Sequence, residues 1–183
     1  MAADPGRARE GTEPAAQPRG WPLRIDERLR IVRYDARHAA RFAELNLEWL
    51  ERYFEVEPID RAVLSHPELR ILAPGGEILF ALVDDAAVGT VALKFERPGI
   101  FELTKMAVAP DRRGRGIGRH LLEAALVLAG QRGAHTVYLY SNTVLEPAIA
   151  LYRQAGFAEV PLAAGDDRYA RSNIKMVCAV PAR

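Results

Sequence analysis

A chain of 183 residues accommodates one domain of ordinary size and is too short for two comfortable ones. Hydrophobic residues at 49% and charged residues at 27% give the balance of a globular protein and exclude a mainly disordered chain. Lys plus Arg total 25 against 24 for Asp plus Glu, a formal net charge of +1, so bulk charge supports neither nucleic acid nor a membrane surface as a partner.

Residues 1–22 stand apart. Ala, Pro and Gly supply 11 of the first twenty residues, and no Leu, Ile, Val or aromatic residue precedes Trp21. Such a stretch cannot bury enough apolar surface to offset the entropy of ordering its backbone, so residues 1–22 are expected to be a disordered tail and residues 23–183 one domain. The tail lacks the apolar core of a secretion signal, and Asp4, Glu10 and Glu13 argue against a transit peptide. Residues 29–33 then read as a strand. Residues 37–54 carry Phe42, Leu45, Trp49 and Tyr53 at helical spacing and predict an amphipathic helix. Asp60 is placed to cap a second short helix over residues 61–64, with a loop over residues 54–58 between the two.

Three strand-like runs follow at residues 77–83, 87–95 and 100–108, separated by the turn residues Asp84-Asp85 and Pro98-Gly99. Short links predict an antiparallel meander. Beyond Val108 the pattern becomes strand–helix alternation: an apolar helix over residues 117–129, a strand over 136–140, a helix over 147–155 with proline at its start and Gly156 past its end, and a strand over 174–180. The order implies an α/β (α+β) fold with a mixed, mostly antiparallel sheet flanked by helices.

The stretch Arg112-Arg113-Gly114-Arg115-Gly116-Ile117-Gly118-Arg119 lies between a strand and a helix. Glycines there let the backbone turn tightly and approach a ligand, and the first N–H groups of the helix point at the same spot, where the helix dipole favours an anion. The spacing fits neither a Walker A loop nor the dinucleotide fingerprint, because Arg119 stands where the latter needs glycine. Two readings stay open on spacing alone: a phosphate site, or a tight turn with solvated arginines.

Arg113-x-x-Gly116-x-Gly118 resembles the Arg/Gln-x-x-Gly-x-Gly/Ala signature of the GNAT family of N-acetyltransferases. Met106-Ala107-Val108-Ala109-Pro110 upstream and Leu121-Leu122 downstream are similar too, and residues 148–157 resemble a second motif of the same family. The two motifs cover about a third of the chain, and the predicted element order agrees with the GNAT fold along residues 29–180. The resemblance implies acetyl-CoA as co-substrate, with its pyrophosphate on the N–H groups of Arg113, Gly114, Arg115, Gly116, Ile117, Gly118 and Arg119. The pantetheine arm would run beside the strand of Met106, Ala107 and Val108, which splays from its parallel neighbour at residues 136–140.

Certain members of the family carry a general-base glutamate six residues before the equivalent of Val108, where Glu102 stands. An amine must lose its proton before or during attack on a thioester, so a carboxylate there has a use. The alternative is a surface glutamate paired with Lys94 or Lys105. Period-two geometry places Glu102 on one face with Thr104 and Met106, unless a bulge changes the parity. Tyr152 occupies the position where relatives often place a tyrosine near the coenzyme sulfur; a core tyrosine would show the same periodicity. Many relatives have Asn where this chain has Leu145, and Asn142 offers either a coenzyme contact or a turn cap. By the same resemblance Phe54, Glu55, Glu57 and Asp60 on one side, and Arg168, Tyr169, Arg171 and Asn173 on the other, flank the acceptor, acids suiting an ammonium and arginines a carboxylate.

The four histidines and the single Cys178 have no metal-ligand spacing, so no metal is expected. One cysteine cannot form an internal disulfide, and no apolar run approaches the ~20 residues of a membrane helix, which together suit a cytoplasmic protein. The expected activity is acetyl transfer from acetyl-CoA to a primary amine of a small molecule, by direct attack and without a covalent enzyme intermediate, in a monomer or homodimer. A protein or peptide N-acetyltransferase with an open groove is the alternative within the class. A non-catalytic acyl-CoA-binding module is the alternative outside it.

Overall fold

The structure, a computed structural model, describes residues 23–25, 28–163 and 169–181. The expected tail at residues 1–22 lies outside them. The described chain forms β1 (Leu23–Arg24), β2 (Leu29–Arg33), α1 (Ala39–Tyr53), α2 (Pro58–Ser65), β3 (Glu77–Val83), β4 (Ala86–Arg97), β5 (Ile100–Val108), α3 (Ile117–Gln131), β6 (Thr136–Ser141), α4 (Glu146–Gln154), β7 (Ala158–Val160) and β8 (Ile174–Ala179). One sheet contains all eight strands in the order β1-β2-β3-β4-β5-β6-β8-β7. Only the β5–β6 pair is parallel.

The sheet is mixed because its connections differ in length. β3 and β4 are joined at Asp84-Asp85, both with φ above zero (49° and 66°), the conformation whose twist matches two adjoining strands. A parallel partner for β5 needs a crossover, and α3 supplies it. Leu121, Leu122, Leu128 and Ala129 of α3 bury against Leu79, Val91, Leu93, Phe101 and Leu103 on one face of the sheet. Phe42 and Leu50 of α1 and Val63 and Leu64 of α2 bury against Ile78, Phe80, Leu82 and Ala92 on the other. A Cβ at Gly89 would sit 2.9 Å from Leu121 Cδ1 and 3.2 Å from the Ala107 carbonyl, so this glycine sets how closely α3 lies on the sheet.

The observed elements depart from expectation in three places. The second helix begins at Pro58, not after Asp60: Glu57 is its N-cap and Asp60 returns a bond to the Glu57 N–H, a capping box with proline in the first turn. β1 and β7, of two and three residues, are too short to leave a pattern. A wide helical turn at Glu68–Leu72 links α2 to β3 and was not foreseen.

Candidate active site

The site begins with a mismatch between two strands. Thr90 pairs with Ala107 and Ala92 with Thr104, so β5 carries one more residue than β4 in this stretch. The extra residue falls at Lys105, whose φ is +51°, a left-handed conformation rare for a side chain with a Cβ. The bulge reverses which side chains face which way. Phe101 and Leu103 before it, and Met106 and Val108 after it, all belong with the α3 core, whereas Ala107 packs with Leu45 and Trp49 of α1. Glu102 and Thr104 meet Tyr169 instead. Met106 therefore does not share a face with Glu102, contrary to unbroken alternation.

A bulge also bends its strand. β5 pairs with β6 only where Ile100, Phe101 and Glu102 lie beside Thr136, Val137 and Tyr138; beyond that point the two strands run on without pairing, to Val108 and Ser141. The gap between them opens into two cavities that share Met106, Ala107, Val108, Arg113, Pro147, Ala148 and Tyr152 as walls.

The first cavity, about 460 Å³, is built on the glycine turn. Gly114 and Gly116 have φ of +73° and +78°, and nothing lies within 4 Å of where a Cβ on Gly114 would be. Gly116 precedes the first residue of α3, and its carbonyl accepts the first helical bond, from the His120 N–H. The N–H groups before His120 are thus the ones helix geometry leaves for an external acceptor, at the positive end of the dipole. Arg113 is committed differently: its N–H donates to the Pro110 carbonyl and its Nε to the Val108 carbonyl at 2.9 Å, closing the end of β5. Arg119 donates to Gln154 at 2.9 Å and ties α3 to α4. An anion seated on residues 114–119, with an uncharged arm leading down the apolar cleft, fits this cavity.

The second cavity, about 290 Å³, lies at the other end of the cleft and is aromatic: Trp49, Tyr53, Phe54, Tyr140, Tyr152 and Tyr169 contribute to its wall. Beside it sits a buried ionic network. Asp60, fully buried, accepts from Lys105 Nζ at 2.6 Å and from Arg171 at 2.7 and 3.0 Å; Arg171 also donates to Glu57 at 2.7 Å. Burial pushes the Asp60 carboxyl up, but Lys105 and Arg171 more than reverse this and hold it below the usual carboxylate value. Burial likewise pushes the Lys105 ammonium below its ordinary value, against the opposing pull of Asp60. The network joins α2, the bulge and the segment before β8 across one end of the cavity.

Most of the predicted residues line one cavity or both, while Arg115, Glu55, Glu57, Glu102 and Asn173 line neither. Met106, Ala107, Val108, Arg113 and Tyr152 line both cavities, Gly114, Gly116, Ile117, Gly118 and Arg119 line the first, and Phe54, Asn142, Tyr169 and Arg171 line the second. Tyr152 is buried, and burial pushes its hydroxyl up to about 12, so it is a proton donor at neutral pH. Asn142 donates to the Arg171 carbonyl at 2.6 Å and accepts from the Val144 N–H at 3.0 Å, so both ends of its amide hold the turn. Glu102 is 1% exposed and absent from the wall of either cavity; it is not a surface glutamate. Glu55 is exposed and lines neither cavity, Glu57 is spent on Arg171 and the α2 cap, and Asn173 bonds to Thr143. Arg168 lies outside the described residues.

The sequence did not reveal Lys105 or Tyr140, and Trp49 and Tyr53 read only as part of a helical core stripe. Their place at the cavity depends on the bulge and on α1 crossing β5, which no local pattern encodes. Among the described residues no group of His, Cys, Asp or Glu is arranged to hold a metal, and no helix is long and apolar enough to cross a membrane.

Residues 40–157 match the model of the acetyltransferase (GNAT) family. A mycothiol acetyltransferase of Clavibacter michiganensis is 37% identical over 126 residues, which is 61% of this chain and 40% of that protein. The chain thus spans less than half the length of that relative. A GNAT-family acetyltransferase from Staphylococcus aureus Mu50 superposes with a TM-score of 0.76 at 20% identity, covering 84% of this chain and 99% of its own. A Salmonella typhimurium protein whose structure was solved with its cofactor acetyl-CoA superposes with a TM-score of 0.67 at 18% identity, covering 86% and 96%.

Proposed function

The chain belongs to the acetyltransferase (GNAT) family, and on that premise we propose that it transfers the acetyl group of acetyl-CoA to the primary amine of a small molecule. The observation that carries this is the splayed β5–β6 gap, which leads from an anion-seating helix start to an aromatic cavity, with Tyr152 on the wall common to both. Bound acetyl-CoA supplies an acetyl thioester, an electrophile that a neutral amine attacks directly. The N–H groups of residues 114–119 hold the pyrophosphate, and the backbone of Met106, Ala107 and Val108 supports the arm as an added strand would. The bulge leaves the β5 backbone around Lys105 and Met106 outside the ladder, and an N–H there is the donor for oxyanion charge. Tyr152, kept protonated by burial, donates to the departing sulfur.

A small acceptor is favoured over an extended peptide by the network of Arg171 with Asp60 and Glu57, which ties α2 to the segment before β8 where a peptide groove would have to stay open. The relative from Clavibacter carries the name of a mycothiol acetyltransferase, which accords with this choice. Release of free coenzyme A from acetyl-CoA across a panel of small amines and of peptides tests the reading. Turnover is expected with at least one small amine. Turnover with peptides alone would move the acceptor class, and coenzyme binding without turnover on any amine or peptide would leave an acyl-CoA-binding module.

A further inference from the structure

Glu102 stands where a base is wanted, yet it does not reach the acceptor cavity. It is 1% exposed and forms no part of the cavity wall. Tyr169 touches both: it lines that cavity, and its hydroxyl donates to Glu102 Oε1 at 3.2 Å. Thr104, next on the same face of β5, also bonds to the hydroxyl.

We propose that Tyr169 is a catalytic proton relay, its hydroxyl taking the proton of the acceptor amine from the cavity while passing its own to the buried carboxylate of Glu102. This rests on the acetyl-transfer reading above. As the bond from nitrogen to the acetyl carbon forms and the carbon–sulfur bond breaks, the nitrogen's proton goes to Tyr169 Oη. The phenolic proton goes to Glu102, and the sulfur leaves with the electron pair as a thiolate accepting from Tyr152. Glu102 afterwards gives its proton back to the Tyr169 hydroxyl, which releases one on its cavity side, so the same path resets the relay. No charge is stored on the phenol itself, which suits its environment: burial, then Glu102, hold the Tyr169 hydroxyl well above the usual tyrosine range, so a free phenolate would be costly while a concerted transfer is not.

The surroundings fix the relay in place. Lys105 Nζ lies 5.3 Å and the Arg171 guanidinium 4.9 Å from the centroid of the Tyr169 ring, and Tyr140 of β6 packs edge-on against it at 6.1 Å. Among the described residues, the charged and titratable groups facing Tyr169 are Glu102 and Lys105 from β5, Asp60 from α2, Arg171 from its own segment and Tyr140 from β6. Lys105 is not a competing base, because its ammonium is buried and held by Asp60 at 2.6 Å. The bulge makes this arrangement possible: it keeps Glu102 and Thr104 on the Tyr169 side while turning Met106 and Val108 to the α3 core.

The test compares wild type, Tyr169→Phe, Glu102→Gln and the double variant by coenzyme A release on the best amine of the panel, by calorimetric affinity for coenzyme A, and by thermal melt. The relay predicts a fall in kcat of about 10²-fold or more in each single variant, and no further fall in the double, since the two groups act as one path. Coenzyme affinity stays within about twofold throughout, because neither residue meets the pyrophosphate turn. A Tyr169→Phe enzyme with more than about half the wild-type kcat, or losses that multiply in the double variant, overturns the relay while leaving the acetyl-transfer reading intact. A wild type that turns over no amine overturns both. Should Tyr169→Phe melt early, a ring-fluorinated tyrosine at 169 keeps ring and hydroxyl and alters only the acidity. The relay requires kcat to change with that acidity, and an unchanged kcat overturns it.

Discussion

Replacing Asp60 by asparagine probes the ionic network beside the aromatic cavity with almost no change of shape. The carboxylate is fully buried and accepts from two cations, Lys105 at 2.6 Å and Arg171 at 2.7 and 3.0 Å. Neutralising it leaves both cations in place. Removing one partner of a buried pair costs about 3–5 kcal/mol, because the remaining charge has lost its solvation twice over. Arg171 keeps Glu57 at 2.7 Å, and the asparagine still accepts one bond, so the lower end, about 3 kcal/mol, is expected. For a chain of this size that is a fall in melting temperature of roughly 6–12 °C at neutral pH.

The same variant gives a second, independent reading. Asp60 is held below its ordinary value of 3.8, so its contribution is fully present above that value and is lost as pH falls through the lower folded value. The difference in melting temperature between wild type and Asp60→Asn should accordingly be constant above the ordinary carboxylate range and shrink in stronger acid. A melting temperature within about 2 °C of wild type at neutral pH would refute the account, since it would mean that the two cations find solvent without Asp60. A gap that widened in acid would refute the sign of the shift.

Gly118→Val should weaken coenzyme A binding at least tenfold by calorimetry with the fold retained, because a Cβ at 118 meets Leu151 and Met106 at an ordinary 3.5 Å while the branched methyls intrude on the N–H groups of the turn. Tyr152→Phe should lower kcat about 10–1000-fold with coenzyme affinity nearly unchanged, and equal turnover would assign the hydroxyl to packing. Gly89→Ala should lower stability by about 1–3 kcal/mol in a denaturant melt, because its Cβ would meet Leu121 at 2.9 Å and the Ala107 carbonyl at 3.2 Å, and α3 must shift to admit it.

What was legible in the sequence was what is local. The glycine turn and the helix it opens follow from contiguous residues whose backbone demands are their own, whereas Tyr152 was singled out by the family resemblance alone. The start of α2 was misread for a reason equally local: Asp60 is a good N-cap type, but Pro58 suits the first turn, and the pair Glu57 and Asp60 satisfies both directions of a capping box. The second cavity was legible only in part: the family resemblance pointed to Phe54, Tyr169 and Arg171, but Trp49, Tyr53, Lys105 and Tyr140 join them from separate segments that share no sequence spacing.

The bulge at Lys105 shows why the site could not be read by period alone. Nothing in Leu103-Thr104-Lys105-Met106-Ala107 marks a slip; the extra residue exists only relative to β4, where Val91 stands opposite it. A left-handed lysine costs about 1–2 kcal/mol, and the fold tolerates it because the same conformation delivers the ammonium to Asp60 at 2.6 Å. One backbone irregularity thereby bends β5 away from β6, reverses the facing of Met106 and Val108, and anchors the network that holds Tyr169 over Glu102. Both cavities open beside that mismatch of one residue, with Met106, Ala107 and Val108 just beyond it on the wall they share.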